Sequence, residues 1–421
     1  MNIIGLDVGR NNVTACLLTG YPDQPLKHFQ NIKKDIIKCQ ADPTGVQKLL
    51  DLKPDAVVME PTGIWYSNFW KHLADFHKIP IYWIGHGDLA AQRGAYGFKN
   101  KTDPEDAFCL ALTYFDDRFV DVHGNKRYLE FSTGQITLVR DWFFECEQLD
   151  KLLNSLINQA RQRLTMEFPE IAQKNSNISD KLGYAPMWGY VAGIREYTAI
   201  KKLHQNSAAR AIGIEISEYT KEHAKKICEL QKQLDKKERD LTLLMQSDEF
   251  APYLKVFKKF GFGIRNQALL LCQCYPFDRF LLDGKPWVTY DDGINKQGIP
   301  TSQKRHRSLR SFQLFLGLGY TEKQSGDKKV KALGGSDVTR ASLYAWTLTS
   351  VLPDRRSSSW LGKQLNEIRA DGWTLKGLKE SKISGKQKII RILFKVTRML
   401  FYELYRELNQ PSLQPEQPKQ D

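Results

Sequence analysis

The chain has 421 residues, of which 62 are lysine or arginine and 48 are aspartate or glutamate, so its formal charge is +14. Hydrophobic residues make up 41% and aromatic residues 11%, which is enough for packed cores and excludes a mainly disordered protein. No stretch approaches the ~20 apolar residues of a membrane span, and the N-terminus has no signal-peptide pattern. The seven scattered cysteines include no C-x-x-C pair. We therefore expect a reduced, cytoplasmic chain without a membrane partner, a disulfide framework or a zinc knuckle.

The positive charge is concentrated in the C-terminal part. Net charge is −1 over residues 1–135, 0 over 136–250 and +15 over 251–421. Such an excess favours a nucleic-acid partner, because binding cations release the counterions of a polyanion. A charge excess that only keeps the protein in solution is the alternative.

Residues 1–135 predict a three-layer α/β domain. A strand over 2–8 is followed by a turn and a hairpin partner over 13–18. Residues 56–60 and 79–84 read as further buried strands, and 65–76 has the spacing of a helix. Strands that alternate with crossover helices indicate a sheet covered on both faces.

Residues 136–250 predict two long helices. Leu149, Leu152, Leu156 and Leu164 are spaced to fall on one face of the first helix. The second runs over about 216–245, and its apolar residues Ile227, Leu234 and Leu241 recur every seven positions, which is typical of a coiled coil. An amphipathic helix packed within the chain is the alternative. The stretch at about 166–213 between the helices reads as an inserted subdomain.

Residues 251–410 predict a mostly helical domain with a long loop or insertion at about 284–310. A basic helix over 386–398 has the apolar face of a core helix rather than of a membrane anchor. The Gln/Pro-rich stretch 411–421 predicts a disordered tail.

Four carboxylates stand at positions where an α/β sheet gathers ligands. Asp7 and Glu60 end predicted strands, and Asp103 and Asp106 share one face of a predicted helix. Together they could surround one or two Mg²⁺ ions, which take oxygen ligands and support phosphodiester displacement. Taken alone, Asp103 and Asp106 are better explained by helix capping, with Thr102 or Asp103 as the N-cap residue and Pro104 in the first turn. Asp7 could be a turn residue at a strand end, and Glu60 a surface residue before a proline.

Ser325 lies among lysines in the C-terminal part, in a stretch over 296–340 with ten basic and three acidic residues. A serine can attack phosphorus when cations or a metal stabilise the developing charge. Trp287, Tyr290 and Phe312 lie among or beside these cations, as expected for backbone contacts combined with base stacking. A turn serine in a solvated basic loop is the alternative.

These motifs together resemble the DEDD transposases of bridge-RNA-guided insertion sequences, which are related to the Piv/MooV DNA invertases. The matching blocks follow the family order over most of residues 1–350. They are Ile4-Gly5-Leu6-Asp7-Val8, Val58-Met59-Glu60-Pro61-Thr62-Gly63, Lys101-Thr102-Asp103-Pro104-Glu105-Asp106-Ala107, Gly261-Phe262-Gly263-Ile264, Leu316-Gly317-Leu318-Gly319, Gln324-Ser325-Gly326 and Arg340-Ala341-Ser342-Leu343-Tyr344. The chain departs from the family in having Phe260 where a proline is usual.

The resemblance implies a RuvC-like (ribonuclease-H-like) domain over 1–135, a coiled-coil segment over 136–250 and a serine transposase domain over 251–410. It implies that Asp7, Glu60, Asp103 and Asp106 bind Mg²⁺, with Mn²⁺ as the alternative, and that Ser325 is the nucleophile. Donor and target DNA, a structured guide RNA and a homo-oligomer, dimer or tetramer, are the implied partners. The enzyme would be prokaryotic and associate with the nucleoid when bound to DNA. The cations expected to contact nucleic acid are Lys101, Lys304, Arg305, Arg307, Lys323, Lys328, Lys329 and Arg340.

Three other functions stay open at this point. A RuvC-like endonuclease would use water as the nucleophile and leave Ser325 without a catalytic role. An actin-like ATPase or sugar kinase would need a second glycine-rich phosphate loop, which the sequence does not show. A protein that binds RNA without catalysis would not need the carboxylates.

Overall fold

The structure, a computed structural model, describes residues 1–62, 65–120, 124–129, 134–294, 300–325, 328–353, 359–365 and 385–409, with the backbone alone at 294, 300, 321–325 and 328–331. The chain divides into two compact units, Met1–Phe131 and Ser132–Asp421. The tail expected at 411–421 lies outside the described residues. All seven cysteines are free thiols, and among the described residues no helix is long and apolar enough to cross a membrane.

The first unit contains a five-stranded mixed sheet in the order β3-β2-β1-β4-β5. Its strands are β1 Ile3–Val8, β2 Asn12–Leu18, β3 Ile37–Gln40, β4 Ala56–Met59 and β5 Ile81–Trp83. Its helices are α1 Pro25–Ile32, α2 Pro43–Leu50, α3 Tyr66–Phe76, α4 His86–Ala95 and α5 Asp103–Phe115. β1, β2 and β3 pair antiparallel, whereas β1, β4 and β5 run parallel.

Apolar residues cover both faces of this sheet. Alternate residues of β1 belong to two separate cores, Ile3 to one and Ile4 and Leu6 to the other, because successive side chains of a strand point to opposite faces. α5 contributes Phe108 to the first core, and α3 contributes Trp70 to the second. The predicted three-layer α/β arrangement of this part is confirmed.

The second unit is mostly helical. Its helices are α6 Gln135–Glu167, α7 Pro169–Ala172, α8 Pro186–Val191, α9 Thr198–Gln205, α10 Ala208–Ala211, α11 Glu218–Leu244, α12 Ala251–Phe260, α13 Ile264–Cys274, α14 Arg307–Phe315, α15 Asp337–Trp346, α16 Trp360–Gln364 and α17 Gly385–Leu408. A 3-10 turn spans Phe277–Phe280, and a π-helical turn, Thr347–Val351, continues α15. Its strands form three hairpins, β6 Leu281–Leu282 with β7 Lys285–Pro286, β8 Val288–Ile294 with β9 Pro300–His306, and β10 Gly319–Ser325 with β11 Lys328–Gly334.

The two long helices form an antiparallel pair within the chain. Arg163 near the end of α6 donates to Thr220 at the start of α11, whereas Lys237 late in α11 pairs with Glu145 early in α6. The heptad residues of α11 are buried in the same core as α6. The structure thus shows intrachain packing for this seam, and a coiled coil between chains is not confirmed. Leu152 was expected on the buried face of α6 but is 58% exposed, because Leu153 takes the buried position.

Two further expectations for the second unit need correction. Of the two interpretations of 284–310, a long loop is wrong, since the β8–β9 hairpin occupies most of the stretch, whereas an insertion stays a prediction. On β8 the apolar residues Val288, Tyr290 and Ile294 fall at alternate positions, but Asp292 interrupts them, and β9 has no such alternation. The sequence pattern was therefore too weak to predict a hairpin. Phe312 was expected to stack on bases, but it is fully buried between Phe277, Phe280 and Phe401.

Candidate active site

Asp7 and Glu60 lie side by side at the carboxyl edge of the sheet. β1 and β4 are parallel neighbours in which Leu6 pairs with Met59, and Asp7 and Glu60 are the residues that follow these two. The carboxyl ends of parallel strands meet at one edge, where ligands of α/β proteins bind. Glu60 is 9% exposed, whereas Asp7 is half-buried.

Asp103 and Asp106 come to this edge because α5 packs directly on β1. A Cβ atom on Gly5 would lie 1.9 Å from the carbonyl oxygen of Ala107, so only glycine permits this close approach. Asp103 is the first residue of α5 and is exposed, and Asp106, in the same turn, is 2% exposed. Thr102 is the N-cap residue, but its side chain makes no capping hydrogen bond.

The four carboxylates interact electrostatically. The pKa of Asp7 is raised to about 7, first by burial and then by the negative charges of Asp103, Asp106 and Glu60. The ammonium group of Lys101 acts in the opposite direction. Side chains from three distant parts of the sequence therefore crowd negative charge around Asp7, a cost that structural carboxylates ordinarily avoid.

Helix α4 supplies partners for two of these carboxylates. His86 Nδ1 lies 2.7 Å from Glu60 Oε2, and the Arg93 guanidinium donates to Asp106 Oδ1. The sequence reading missed both residues, since a single histidine and a single arginine in a weakly periodic helix carry no spacing signal. His86 directly follows the turn after β5, and that position beside a strand end was the available clue.

The donor chemistry of the cluster fits Mg²⁺. All four side chains offer oxygen ligands, which this hard cation prefers, and a bound cation would relieve the repulsion around Asp7. In the part of the chain that the structure describes, no group of three or more histidine, cysteine or acidic side chains is arranged to hold a metal ion. Glu60 and Asp106 are instead engaged by His86 and Arg93.

The predicted nucleophile belongs to the second unit. Ser325 is the last residue of β10 and pairs with Lys328, the first residue of β11, so it stands beside the turn of a hairpin. Its side chain lies outside the described residues, as do those of Lys323, Lys328 and Lys329. Its role stays a prediction.

The other cations predicted to contact nucleic acid differ in whether they are bound to partners within the chain. Lys101 and Lys304 are exposed. Arg305 Nε donates to Asp291 at 2.9 Å, and Arg307 Nε donates to Thr289 Oγ1 at 3.0 Å. Arg340 binds the carbonyl oxygen of Gly317 at 2.7 Å and also pairs with Asp337, so it holds together the turn that precedes β10.

The comparisons with known proteins give only distant likenesses. No protein-family model matches the sequence, and no curated protein matches it either. Among solved structures, Thermus thermophilus RuvC is 16% identical, with a TM-score of 0.20 over 31% of this chain and 100% of that chain. T. thermophilus RuvC in complex with a Holliday junction substrate is 18% identical, with a TM-score of 0.19 over 31% of this chain and 99% of that chain. Scores this low carry no inference, so the case for function depends on the carboxylates themselves.

Proposed function

We propose that the chain is a Mg²⁺-dependent DNA transposase or recombinase that uses Ser325 as its nucleophile and a structured RNA as its guide. The observation that carries the proposal is the crowding of Asp103, Asp106 and Glu60 around Asp7 at the carboxyl edge of the sheet. The family resemblance of the motifs is the basis for proposing Ser325 as the nucleophile, an RNA as the guide and a homo-oligomer as the active assembly. The +15 charge of residues 251–421 supports a polyanionic partner.

Asp7, Glu60, Asp103 and Asp106 would hold the metal, and His86 and Arg93 are the partners of Glu60 and Asp106. When bound, Mg²⁺ supplies a Lewis acid that neutralises charge on the phosphoryl oxygens. The Ser325 oxygen forms a bond to phosphorus while the bond from phosphorus to the leaving deoxyribose oxygen breaks. The serine hydroxyl loses its proton and the leaving oxygen gains one, so bonds and protons balance.

This exchange replaces one phosphodiester by another, so the reverse attack by a DNA hydroxyl can rejoin strands without an energy source. That property suits an enzyme that excises and inserts DNA. Attack by water would instead lose the phosphodiester bond and leave a nick. The second candidate function, a RuvC-like endonuclease, is favoured by one observation, which is that all four carboxylates lie within the first unit.

A covalent adduct distinguishes the two functions. The full chain, with Mg²⁺, DNA carrying the element ends and the RNA encoded beside its gene, should give a protein–DNA adduct that survives denaturing electrophoresis. Ser325→Ala should abolish the adduct, and Asp7→Asn or Glu60→Gln should lower its yield by at least about 100-fold. Two matched controls, Ser302→Ala on β9 and Asp117→Asn in the first unit, remove exposed side chains and should retain activity.

Each other result has a definite meaning. Strand cleavage without an adduct, unchanged in Ser325→Ala, would establish the water-dependent endonuclease. Full activity in both Asp7→Asn and Glu60→Gln would reject both candidates, since neither can work without the carboxylates.

A further inference from the structure

A groove of about 750 Å³ opens on the second unit between helices α14, α16 and α17. Its lining includes Leu309, Gln313, Trp360, Phe394, Arg398 and Tyr402. Three of these six are aromatic, and the Trp360 side chain is 38% exposed. Its volume lies within the range of pockets that hold small organic groups. None of the proposed catalytic residues lines this groove.

The walls of the groove are held by packing and hydrogen bonds. The side-chain amide of Gln313 donates to the Phe394 carbonyl oxygen and to Thr397 Oγ1, both at 3.1 Å, which fastens α14 to α17. The Trp360 ring packs edge-on against Phe260 with ring centroids 5.2 Å apart. The aromatic surfaces are therefore positioned before any ligand arrives, which lowers the entropic cost of binding.

Exposed cations gather beside one wall. Arg398 follows Thr397 on α17, Arg310 lies one turn before Gln313 on α14, and Lys304 is on β9. Burial and then the charges of Lys304, Arg398 and Arg310 hold the pKa of His306, the residue before α14, below its usual value, so all three cations act electrostatically on that one side chain. Among the described residues none of the three cations has an ion-pair partner. Arg398 lines the groove itself, and Arg310 directly follows Leu309, which also lines it. Positive charge at this wall favours an anion.

We propose that this groove binds an unpaired nucleotide of an RNA strand, with its base against the rings of Trp360 and Tyr402 and its phosphates at Lys304, Arg310 and Arg398. A flat aromatic lining beside unpaired cations is the combination that single-stranded nucleic acids require. Bases stacked in a duplex cannot enter a groove between helices, whereas RNA loops present unpaired bases. The inference rests on the RNA partner of the proposed function and assigns a binding site to that RNA.

Fluorescence anisotropy with a labelled oligouridine of about 12 nucleotides, a usual site size, tests the assignment on the full chain. Chelator is present, so that no cleavage chemistry is involved. Arg398→Ala and Trp360→Ala should each weaken binding about tenfold, and Trp360→Phe should restore most of it. Lys386→Ala is the matched control, because it removes an exposed charge from the same helix about 18 Å from Arg398. Thermal melting of each variant checks that it folds.

Selective loss of oligouridine binding in Arg398→Ala and Trp360→Ala, with Lys386→Ala unchanged, supports the proposal. Unchanged binding in the groove variants, or an equal loss in Lys386→Ala, overturns it. Equal affinity for oligodeoxythymidine or for an RNA duplex overturns the assignment to unpaired RNA. Because the assay needs no catalysis, absence of the Ser325 adduct would refute the proposed function without touching this result.

Discussion

At the scale of single residues, Asp7 shows that the site lowers the stability of the fold. Its carboxylate is half-buried, faces three other acidic side chains and has a pKa raised to about 7. Glu60 and Asp106 escape part of this repulsion through His86 and Arg93, whereas the Asp7 carboxylate has no side-chain hydrogen bond to any residue that the structure describes. Sites that are unfavourable for stability commonly serve function.

We predict that Asp7→Asn stabilises the metal-free protein at neutral and alkaline pH. The pKa of Asp7 is about 7 in the folded chain and about 4 when unfolded, so between these values the native state holds the extra proton. Stability is therefore lost as pH rises through this window. After allowance for partial solvent exposure, Asp7→Asn should raise the free energy of unfolding by about 1–3 kcal/mol at about pH 8 and by almost nothing at about pH 4.

Urea denaturation in chelator at both pH values measures this difference, with Asp117→Asn as the exposed-carboxylate control. A variant that is less stable than wild type at about pH 8 would contradict the prediction. In that case Asp7 would accept a hydrogen bond that outweighs the repulsion.

At the scale of elements, the contact between β1 and α5 determines whether the site exists. Asp7 is on β1, Asp103 and Asp106 are on α5, and Gly5 allows the two backbones to meet. Both elements could be predicted, because buried strands and helix starts leave periodic and capping signals. The part played by α4 could not, since its pairs with Glu60 and Asp106 depend on tertiary packing between residues 26 and 13 positions apart.

We predict that Gly5→Ala disrupts the site by forcing β1 and α5 apart. The new methyl group would lie 1.9 Å from Ala107 O and 2.6 Å from Ala111 N, and both are backbone atoms that cannot turn away. The free energy of unfolding should fall by about 3 kcal/mol, and nucleic-acid cleavage should fall with it. Gly20→Ala is the matched control, because nothing lies within 4 Å of its added methyl group. Calorimetry of both variants measures the loss of stability. If Gly5→Ala were as stable as Gly20→Ala, β1 and α5 could move apart without a cost in free energy.

At the scale of the whole molecule, charge and chemistry are divided along the chain. The segment 1–135 is almost neutral yet holds the four carboxylates, whereas 251–421 carries +15. Segment composition was enough to predict the division of charge, and the spacing of apolar residues predicted the α/β and helical character of the two parts. Composition could not reveal which cations are free. Arg305 and Arg340 are paired internally, and Lys304, Arg310 and Arg398 act together on His306 although they belong to β9, α14 and α17.

This division predicts that nucleic-acid binding and metal binding can be separated in the full chain. Without metal, DNA affinity should fall steeply with salt, because cations of the second unit displace counterions from the backbone. At about pH 8, where Asp7 is ionised, uncompensated carboxylates of the first unit repel phosphate, so Asp7→Asn should raise metal-free affinity about two- to fivefold. Mg²⁺ should strengthen wild-type binding by a similar factor and change the variant less. Anisotropy titrations over a salt series, with and without Mg²⁺, measure the salt dependence, the effect of the metal and the effect of Asp7→Asn. Asp117→Asn is the control. An affinity independent of salt would exclude backbone contacts as the main source of binding.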